Sequence, residues 1–175
     1  MFATSIKATL KHSVLKLTKP ILGATYVPEA LKTATLANTE KFSMETHGAK
    51  IPVRVIDVYD GDTIVVAMEV FNKVFAFRVR LAHVNTPEMR PSLNAPDRDS
   101  IVARAKLARD FLAKHVMGKI VWLNILGYEK YGRLLAELFI SETASETINN
   151  LIIEAGLGER YDLKTSNELL MMNDD

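Results

Sequence analysis

The stretch that decides the fold is residues 51–81, which read IPVRVIDVYDGDTIVVAMEVFNKVFAFRVRL. Two apolar runs, residues 53–58 and Thr63–Val70, are rich in β-branched residues, as strands are. They are separated by Asp60-Gly61-Asp62, a sequence typical of a turn. Asn72-Lys73 marks a second turn, and a strictly alternating segment follows it. The pattern predicts three consecutive strands joined by short turns.

The third of these segments alternates residue by residue. Phe75, Phe77, Val79 and Leu81 take turns with Ala76, Arg78, Arg80 and Ala82. Successive side chains of a strand point to opposite faces, so we expect a half-buried strand. Arg78 and Arg80 should then lie together on the face away from the phenylalanines, and the alternation alone does not choose between them.

A long helix is expected after a loop that contains three prolines. Apolar residues recur at helical spacing from Ile101 to Val116, and Asp99 or Ser100 is positioned to cap the first turn. Gly118 should end this helix.

The rest of the chain adds two strands and two shorter helical segments. The strands are expected at residues 120–126 and 134–140, and the helices at residues 148–155 and, more weakly, 166–172. Five strands, with one helix inserted after the third, indicate an α+β protein built on a five-stranded β-barrel of the OB-fold type with about three α-helices.

Residues 1–48 have the composition of an extension. The first 50 residues carry seven lysines and three glutamates, with no acidic residue before Glu29 and no arginine before Arg54. Apolar residues at helical spacing between residues 6 and 17 fit either a targeting peptide or a short helix lying across the main domain. We expect an extension and linker at residues 1–48, a main domain at residues 49–165 and a tail at residues 166–175.

Composition excludes several kinds of site. The 175 residues are 48% hydrophobic and 25% charged, which suits one soluble domain with a sizeable core. No apolar run is long enough to span a membrane. The absence of cysteine excludes disulfides, thiolate zinc sites and cysteine nucleophiles, and the four histidines are too scattered for a His-Glu-x-x-His zinc motif. A metal ion would therefore be a hard cation held by oxygen atoms.

Three charged clusters lie at the ends of expected strands. They occupy residues 59–63, 80–88 and 130–136. An Asp-Gly-Asp sequence by itself is usually only a turn. Together, however, the clusters offer carboxylates and two arginines, which metal-assisted hydrolysis of a phosphodiester requires.

The clusters also resemble those of a known family. Asp60-Gly61-Asp62-Thr63, then Arg80 followed by Asn85-Thr86-Pro87-Glu88, then Tyr131-Gly132-Arg133, are similar in kind and order to the motifs of the staphylococcal nuclease (thermonuclease) family. The resemblance covers roughly residues 52–162. The segment Thr86-Pro87-Glu88-Met89-Arg90-Pro91-Ser92 further resembles versions encoded by large DNA viruses, which would place the protein in a virion or an infected cell.

The resemblance implies a calcium site and a set of catalytic groups. The implied calcium ligands are Asp62, Asn85 and the backbone carbonyl of Thr86, with the carboxylate of Asp60 nearby. The implied catalytic residues are Glu88, as the base that activates water, and Arg80 and Arg133, which grip the scissile phosphate. Lys130 and Tyr131 would contact a neighbouring phosphate or sugar. The family's spacing to Asn85 selects Arg80 over Arg78.

The implied reaction is calcium-dependent endonucleolytic cleavage of DNA and RNA on the 5′-oxygen side, leaving 3′-phosphates, with single strands preferred. We expect a monomer. One residue departs from the family: Asn85 stands where the family has an aspartate ligand, and calcium affinity follows the number of charged ligands. A catalytically impaired module that binds single-stranded nucleic acid is therefore the main alternative, and a scaffold protein is a third.

Overall fold

The computed structural model describes residues 28–39 and 42–161. The chain forms two compact units, Met1–Phe42 and Ser43–Asp175. The helical patterns at residues 6–17 and 166–172 lie outside the described residues. Within the described part, no helix is long and apolar enough to cross a membrane.

The first unit contains one described helix of a single turn, and the second contains the remaining elements. The helices are α1 (Glu29–Lys32), α2 (Arg98–Val116) and α3 (Ile148–Glu154). The strands are β1 (Ile51–Val58), β2 (Thr63–Val70), β3 (Lys73–Leu81), β4 (Val84–Asn85), β5 (Ile120–Tyr128), β6 (Leu134–Phe139) and β7 (Glu159–Arg160).

Five strands close into a barrel in the order β1-β2-β3-β6-β5, with β5 pairing back to β1. Neighbouring strands are antiparallel except β3 and β6, which run parallel. The long helix α2 is inserted between the strands, as expected from the sequence. The predicted α+β fold, an OB-type five-stranded barrel with about three helices, is confirmed. The pair β4–β7 forms a separate small sheet that the sequence did not predict.

The barrel interior is filled by the inward-facing residues of the five strands, and α2 and α3 cover it from outside. On α2 the buried residues are Ala105, Ala108, Leu112 and Val116, which recur at the spacing of one helix face. On α3 they include Ile148 and Ile152. Thr147 caps α3 by accepting a hydrogen bond from the Asn150 backbone N–H at 3.0 Å.

The predicted beginning of α2 is wrong by two or three residues. The helix starts at Arg98, and the residue before it, Asp97, has a left-handed backbone (φ 53°) and makes no side-chain cap. Neither Asp99 nor Ser100 is the capping residue. Acidic and hydroxyl residues are common both at the N-cap position and within the first turn of a helix, so the local sequence does not distinguish the two positions.

Strand β3 also differs from the expected half-buried pattern. Phe75 is 46% exposed, whereas Arg80 is only 5% exposed. The cause is that β6 pairs only with Val79–Leu81, so this end of β3 is covered on both sides while the other end projects with β2 as a two-stranded hairpin. Arg78 and Arg80 share a face, but only Arg80 is enclosed.

Residues 43–48, which their composition places in the extension, make contacts with the barrel. Met44 packs against the core. Thr46 donates its backbone N–H to the Ile125 carbonyl at 2.9 Å and its hydroxyl to Asn124 Oδ1 at 2.9 Å. These bonds tie the segment alongside β5.

Candidate functional site

Asp62 lies at the centre of a hydrogen-bonded cluster at one end of the barrel. It follows the turn between β1 and β2 and is 6% exposed. Its Oδ2 accepts hydrogen bonds from the backbone N–H of Thr86 at 2.8 Å and from the Thr86 hydroxyl at 2.9 Å. Its Oδ1 accepts one bond from the Thr63 hydroxyl at 3.2 Å. Asp62 thus joins the β1–β2 turn to the segment after β4.

Two glycines, Gly61 and Gly158, allow Thr86 to lie within hydrogen-bond distance of Asp62. A Cβ on Gly61 would lie 2.6 Å from Ala108 Cβ on α2 and 2.8 Å from the Thr86 side chain. A Cβ on Gly158 would lie 3.0 Å from the Asn85 carbonyl oxygen and 3.2 Å from Thr86 Cγ2. The turn between the first two strands and the segment before β7 therefore pack on Thr86 from two sides because neither carries a side chain there.

Arg80 is held inside the same cluster. Its Nη1 donates to the carbonyl oxygens of Leu81 at 2.8 Å and Val84 at 2.7 Å, and its Nη2 donates to Asn85 Oδ1 at 3.1 Å. The Nη2 atom also lies 3.2 Å from Asp62 Oδ2. Three of the five N–H donors of the guanidinium are therefore bound to the protein.

The electrostatic surroundings of Arg80 are mixed. Burial lowers the pKa of its guanidinium, the nearby Asp62 carboxylate opposes that change, and the positive charge of Arg133 lowers the pKa further. The starting value is so high that the group stays charged at neutral pH. The two arginines are thus close enough to repel each other.

Arg133 reaches the cluster from the β5–β6 turn. Its Nε donates to Glu129 Oε1 at 2.9 Å, and its Nη1 donates to the Thr63 hydroxyl at 3.3 Å. Glu129 is 3% exposed and also accepts a bond from the Tyr131 backbone N–H at 3.2 Å. The Arg133 side chain itself is 25% exposed, so part of its guanidinium faces solvent.

The pKa values of this pair shift in the directions of a strong ion pair. Hydrogen bonding to Glu129 raises the pKa of Arg133 against the opposing effect of burial. For Glu129, burial would raise the pKa, but the hydrogen bond and the charge of Arg133 outweigh it, so the pKa is lowered. Both groups are therefore charged at neutral pH.

Asp60 supplies a second carboxylate beside Asp62. Its Oδ1 accepts the Asp62 backbone N–H at 3.2 Å. Burial and the negative charge of Asp62 raise the pKa of Asp60 to about 6. The two carboxylates repel each other, and a bound cation would relieve this repulsion.

The other residues singled out from the sequence are more exposed. Glu88 lies two residues beyond Thr86 and is exposed, with no hydrogen bond or ion pair to the residues that the structure describes. Lys130 Nζ lies 4.8 Å from the ring centre of Tyr131, which is largely in solvent. Hydrogen bonds and ion pairs thus connect one cluster, which Arg133 joins through the Thr63 hydroxyl: Asp60, Asp62, Arg80, Asn85, Thr86 and Arg133. Glu88 and the Lys130–Tyr131 pair lie on loops outside these contacts.

Sequence reasoning did not identify Glu129. Its spacing of four residues from Arg133 was the available signal, because a carboxylate and a guanidinium so placed around a turn can meet. Nothing local indicated that the carboxylate would be buried.

The possible metal ligands in the cluster are all oxygen atoms. They are the carboxylates of Asp60 and Asp62, the amide oxygen of Asn85 and the backbone carbonyl of Thr86. Across residues 28–39 and 42–161, no three His, Cys, Asp or Glu side chains are grouped so as to hold a metal ion. The donor set fits a hard cation such as Ca²⁺, with two carboxylates rather than three, and it does not fit a soft or borderline metal.

Comparison with known proteins agrees with this geometry. No curated protein matches the chain. The sequence model of the family described as staphylococcal nuclease homologue matches residues 78–173, more than half of the chain. The matched region includes Arg80, Asn85, Thr86, Glu88 and Arg133. The chain belongs to the staphylococcal nuclease homologue family.

Proposed function

We propose that the protein is a metal-dependent endonuclease that hydrolyses phosphodiester bonds of DNA and RNA. Family membership supports a nuclease or nucleic-acid-binding function. The observation that carries the catalytic proposal is the convergence of two guanidiniums on neighbouring residues: Arg80 lies 3.2 Å from Asp62, and Arg133 lies 3.3 Å from Thr63. Each guanidinium is paired with a carboxylate, Arg80 with Asp62 and Arg133 with Glu129, and each also has N–H donors that this pairing does not use and that can bind a phosphate oxygen.

The two arginines would contribute in different ways. Arg133 has a partly exposed guanidinium oriented by Glu129, and it can donate to a phosphate without breaking a contact that the structure contains. Arg80 is anchored through Nη1, so its Nη2 can exchange the Asn85 and Asp62 acceptors for a phosphate oxygen while the side chain stays in place. Both cations would then neutralise charge that develops on the phosphate in the transition state.

Calcium fits the oxygen donors beside these arginines. Asp62, Thr86 and Asn85 would hold the ion, with Asp60 as an adjacent carboxylate. Of the two Asp62 oxygens, Oδ1 is the more available ligand, since it accepts only one long hydrogen bond whereas Oδ2 accepts two and contacts Arg80. When bound, calcium would supply Lewis-acid stabilisation of the phosphate.

Glu88 is the proposed base. Its carboxylate is exposed on the loop that leaves Thr86, where water can reach it, and a carboxylate can take a proton from a water molecule that attacks phosphorus. The oxygen of that water would bond to phosphorus as the bond from phosphorus to the 5′-oxygen breaks, which leaves a 3′-phosphate and, after the 5′-oxygen takes up a proton, a 5′-hydroxyl. The cluster lies at one end of a small barrel, which suits a flexible single strand better than a duplex.

One observation favours the alternative of a catalytically impaired module that binds single-stranded nucleic acid. Asn85 brings a neutral amide to the position of a charged ligand, and that amide is already hydrogen-bonded to Arg80. A site with weak calcium affinity and an intact pair of arginines would bind phosphates without cleaving them.

The test is digestion of end-labelled single-stranded DNA and RNA in calcium and then in chelator. We expect calcium-dependent cleavage with 3′-phosphate ends, identified by mass spectrometry. Glu88→Gln should lower the rate of cleavage at least about a hundredfold while the protein still binds the nucleic acid. Intact substrate with tight binding, for the unmodified protein at high calcium, would establish the binding-module alternative instead.

A further inference from the structure

Arg78 and Tyr59 form an aromatic–cation pair next to the candidate site. The guanidinium carbon of Arg78 lies 5.3 Å from the ring centre of Tyr59, within the range of a cation–π contact. Both residues are exposed, and 47% of Tyr59 faces solvent. Neither residue takes part in the cluster around Asp62.

Tyr59 is fixed close to the cluster by its backbone. It immediately precedes Asp60, and its N–H donates to the Thr63 carbonyl at 3.0 Å, which closes the turn that carries Asp60 and Asp62. The position of the tyrosine ring is therefore coupled to the turn that presents both carboxylates.

Arg78 is fixed in line with Arg80. The two arginines are two residues apart on β3 and share one face of the strand, so their Cα atoms are about 7 Å apart. That distance is comparable with the spacing of successive phosphates along a nucleic-acid strand. If Arg80 contacts the scissile phosphate, Arg78 is placed for the next phosphate.

We propose that Tyr59 and Arg78 form a subsite for one nucleotide next to the scissile phosphate of a single-stranded nucleic acid, with the base stacked on the Tyr59 ring and the phosphate on Arg78. The proposal rests on the proposed nucleic-acid function and extends it to a residue pair outside the metal and phosphate cluster. An exposed aromatic ring and an adjacent cation are what binding of a single strand without base specificity requires.

The experiment measures binding of a short fluorescein-labelled oligodeoxythymidine in chelator, where no cleavage occurs, by fluorescence anisotropy. Tyr59→Ala should weaken binding by about tenfold, because one stacking contact is lost, and Tyr59→Phe should retain it. Arg78→Ala should weaken binding and lower the slope of log affinity against log salt by about 0.7, the value for one phosphate contact on a single strand. Lys106→Ala, which removes an exposed charge from α2, is the matched control and should change neither affinity nor slope.

A labelled dinucleotide separates this subsite from the scissile-phosphate cluster. It should be less sensitive to Tyr59→Ala than the longer oligonucleotide, because it need not occupy both positions at once. Melting temperatures of all variants show whether an affinity change reflects unfolding. If Tyr59→Ala lowers only the melting temperature and leaves oligonucleotide affinity unchanged, the pair is a structural contact and the proposal is overturned.

Failure of the subsite proposal can be distinguished from failure of the nuclease proposal. Tyr59-dependent binding by a protein that does not cleave in calcium would support the subsite and refute the nuclease. Calcium-dependent cleavage with the same KM in the unmodified protein and Tyr59→Ala, and unchanged binding in chelator, would support the nuclease and refute the subsite.

Discussion

The end of β3 and the β5–β6 turn each deliver one arginine to the cluster, but they hold it differently. Arg80 is buried and anchored mainly by two backbone carbonyls, with Asp62 as its charged neighbour. Arg133 is partly exposed and anchored by one buried carboxylate, Glu129. In the first region both the cation and its carboxylate neighbour are buried, whereas in the second only the carboxylate is.

This difference predicts different consequences when an arginine is lost. Removing Arg80 leaves backbone carbonyls without donors, which no change of pH can supply, while the Asp62 carboxylate keeps its three hydrogen bonds from Thr63 and Thr86. Removing Arg133 leaves the buried Glu129 carboxylate, which can escape its cost by taking up a proton. Arginine-to-alanine substitutions in the two regions should therefore lower the free energy of unfolding by different amounts, and the two losses should depend differently on pH.

The largest effect is expected for Arg80→Ala. It should reduce the free energy of unfolding by about 3–5 kcal/mol, since it breaks a buried pair and its hydrogen bonds. Cleavage should also fall at least about a hundredfold. Urea unfolding and the cleavage assay measure the two effects.

Arg78→Ala is the control for this substitution, because Arg78 lies on the same face of β3 but is exposed. Its free energy of unfolding should change by less than about 1 kcal/mol, the value of its exposed contact with Tyr59. An equally small change for Arg80→Ala would show that the hydrogen bonds of the buried guanidinium contribute little, and the contrast between the two regions would be lost.

A smaller loss of stability is expected for Arg133→Ala. We expect about 1–3 kcal/mol at neutral pH, from the carboxylate left unpaired, together with a large loss of cleavage. The double variant Glu129→Gln/Arg133→Ala should recover stability but not cleavage, because the buried charge is gone while the phosphate contact is still missing. A double variant no more stable than Arg133→Ala would contradict the role assigned to the buried carboxylate.

Glu129→Gln alone tests the same pair through pH. The folded-state pKa of Glu129 is lowered, so the ion pair's stabilisation is fully present above the unfolded-state pKa of about 4.3 and is lost as the pH falls through the lower folded-state value. The melting temperature of Glu129→Gln relative to the unmodified protein should therefore be lowest near neutral pH, and the difference should narrow in acid. A difference that stays constant down to the acid limit would mean that Glu129 is not ionised in the fold. The variant should also cleave more slowly, because Arg133 loses its orientation.

The contrast between the two regions also shows what the sequence could and could not predict. The barrel strands were predictable because alternation, β-branched runs and turn residues are local signals, and the residues of the β5–β6 turn were recognised by motif. The burial of Arg80 was not predictable, because it depends on β6 covering one end of β3 and on the two-residue strand β4, both of which are products of the tertiary fold. Glu129 was missed for the same reason: its importance comes from enclosure, which its neighbours in sequence do not reveal.

Asn85→Asp is expected to have the smallest effect on stability and cleavage. It tests whether residue 85 interacts more strongly with Arg80 or with the calcium ion. The amide oxygen of Asn85 accepts a hydrogen bond from Arg80 Nη2 at 3.1 Å, and the same side chain is a proposed calcium ligand. A carboxylate there adds one negative charge to the cation site, so calcium affinity should rise by about tenfold. Cleavage at limiting calcium should rise with it, and at saturating calcium the gain should shrink because Glu88, Arg80 and Arg133 are unchanged.

Asn72→Asp is the matched control, since it adds the same charge at the exposed turn at the other end of the β2–β3 hairpin and should leave calcium affinity unchanged. Calorimetric calcium titration and melting temperatures distinguish the alternatives. If the melting temperature rises while calcium affinity stays the same, the new carboxylate pairs with Arg80 instead of the ion, and Nη2 is then too firmly held to be exchanged for a phosphate oxygen.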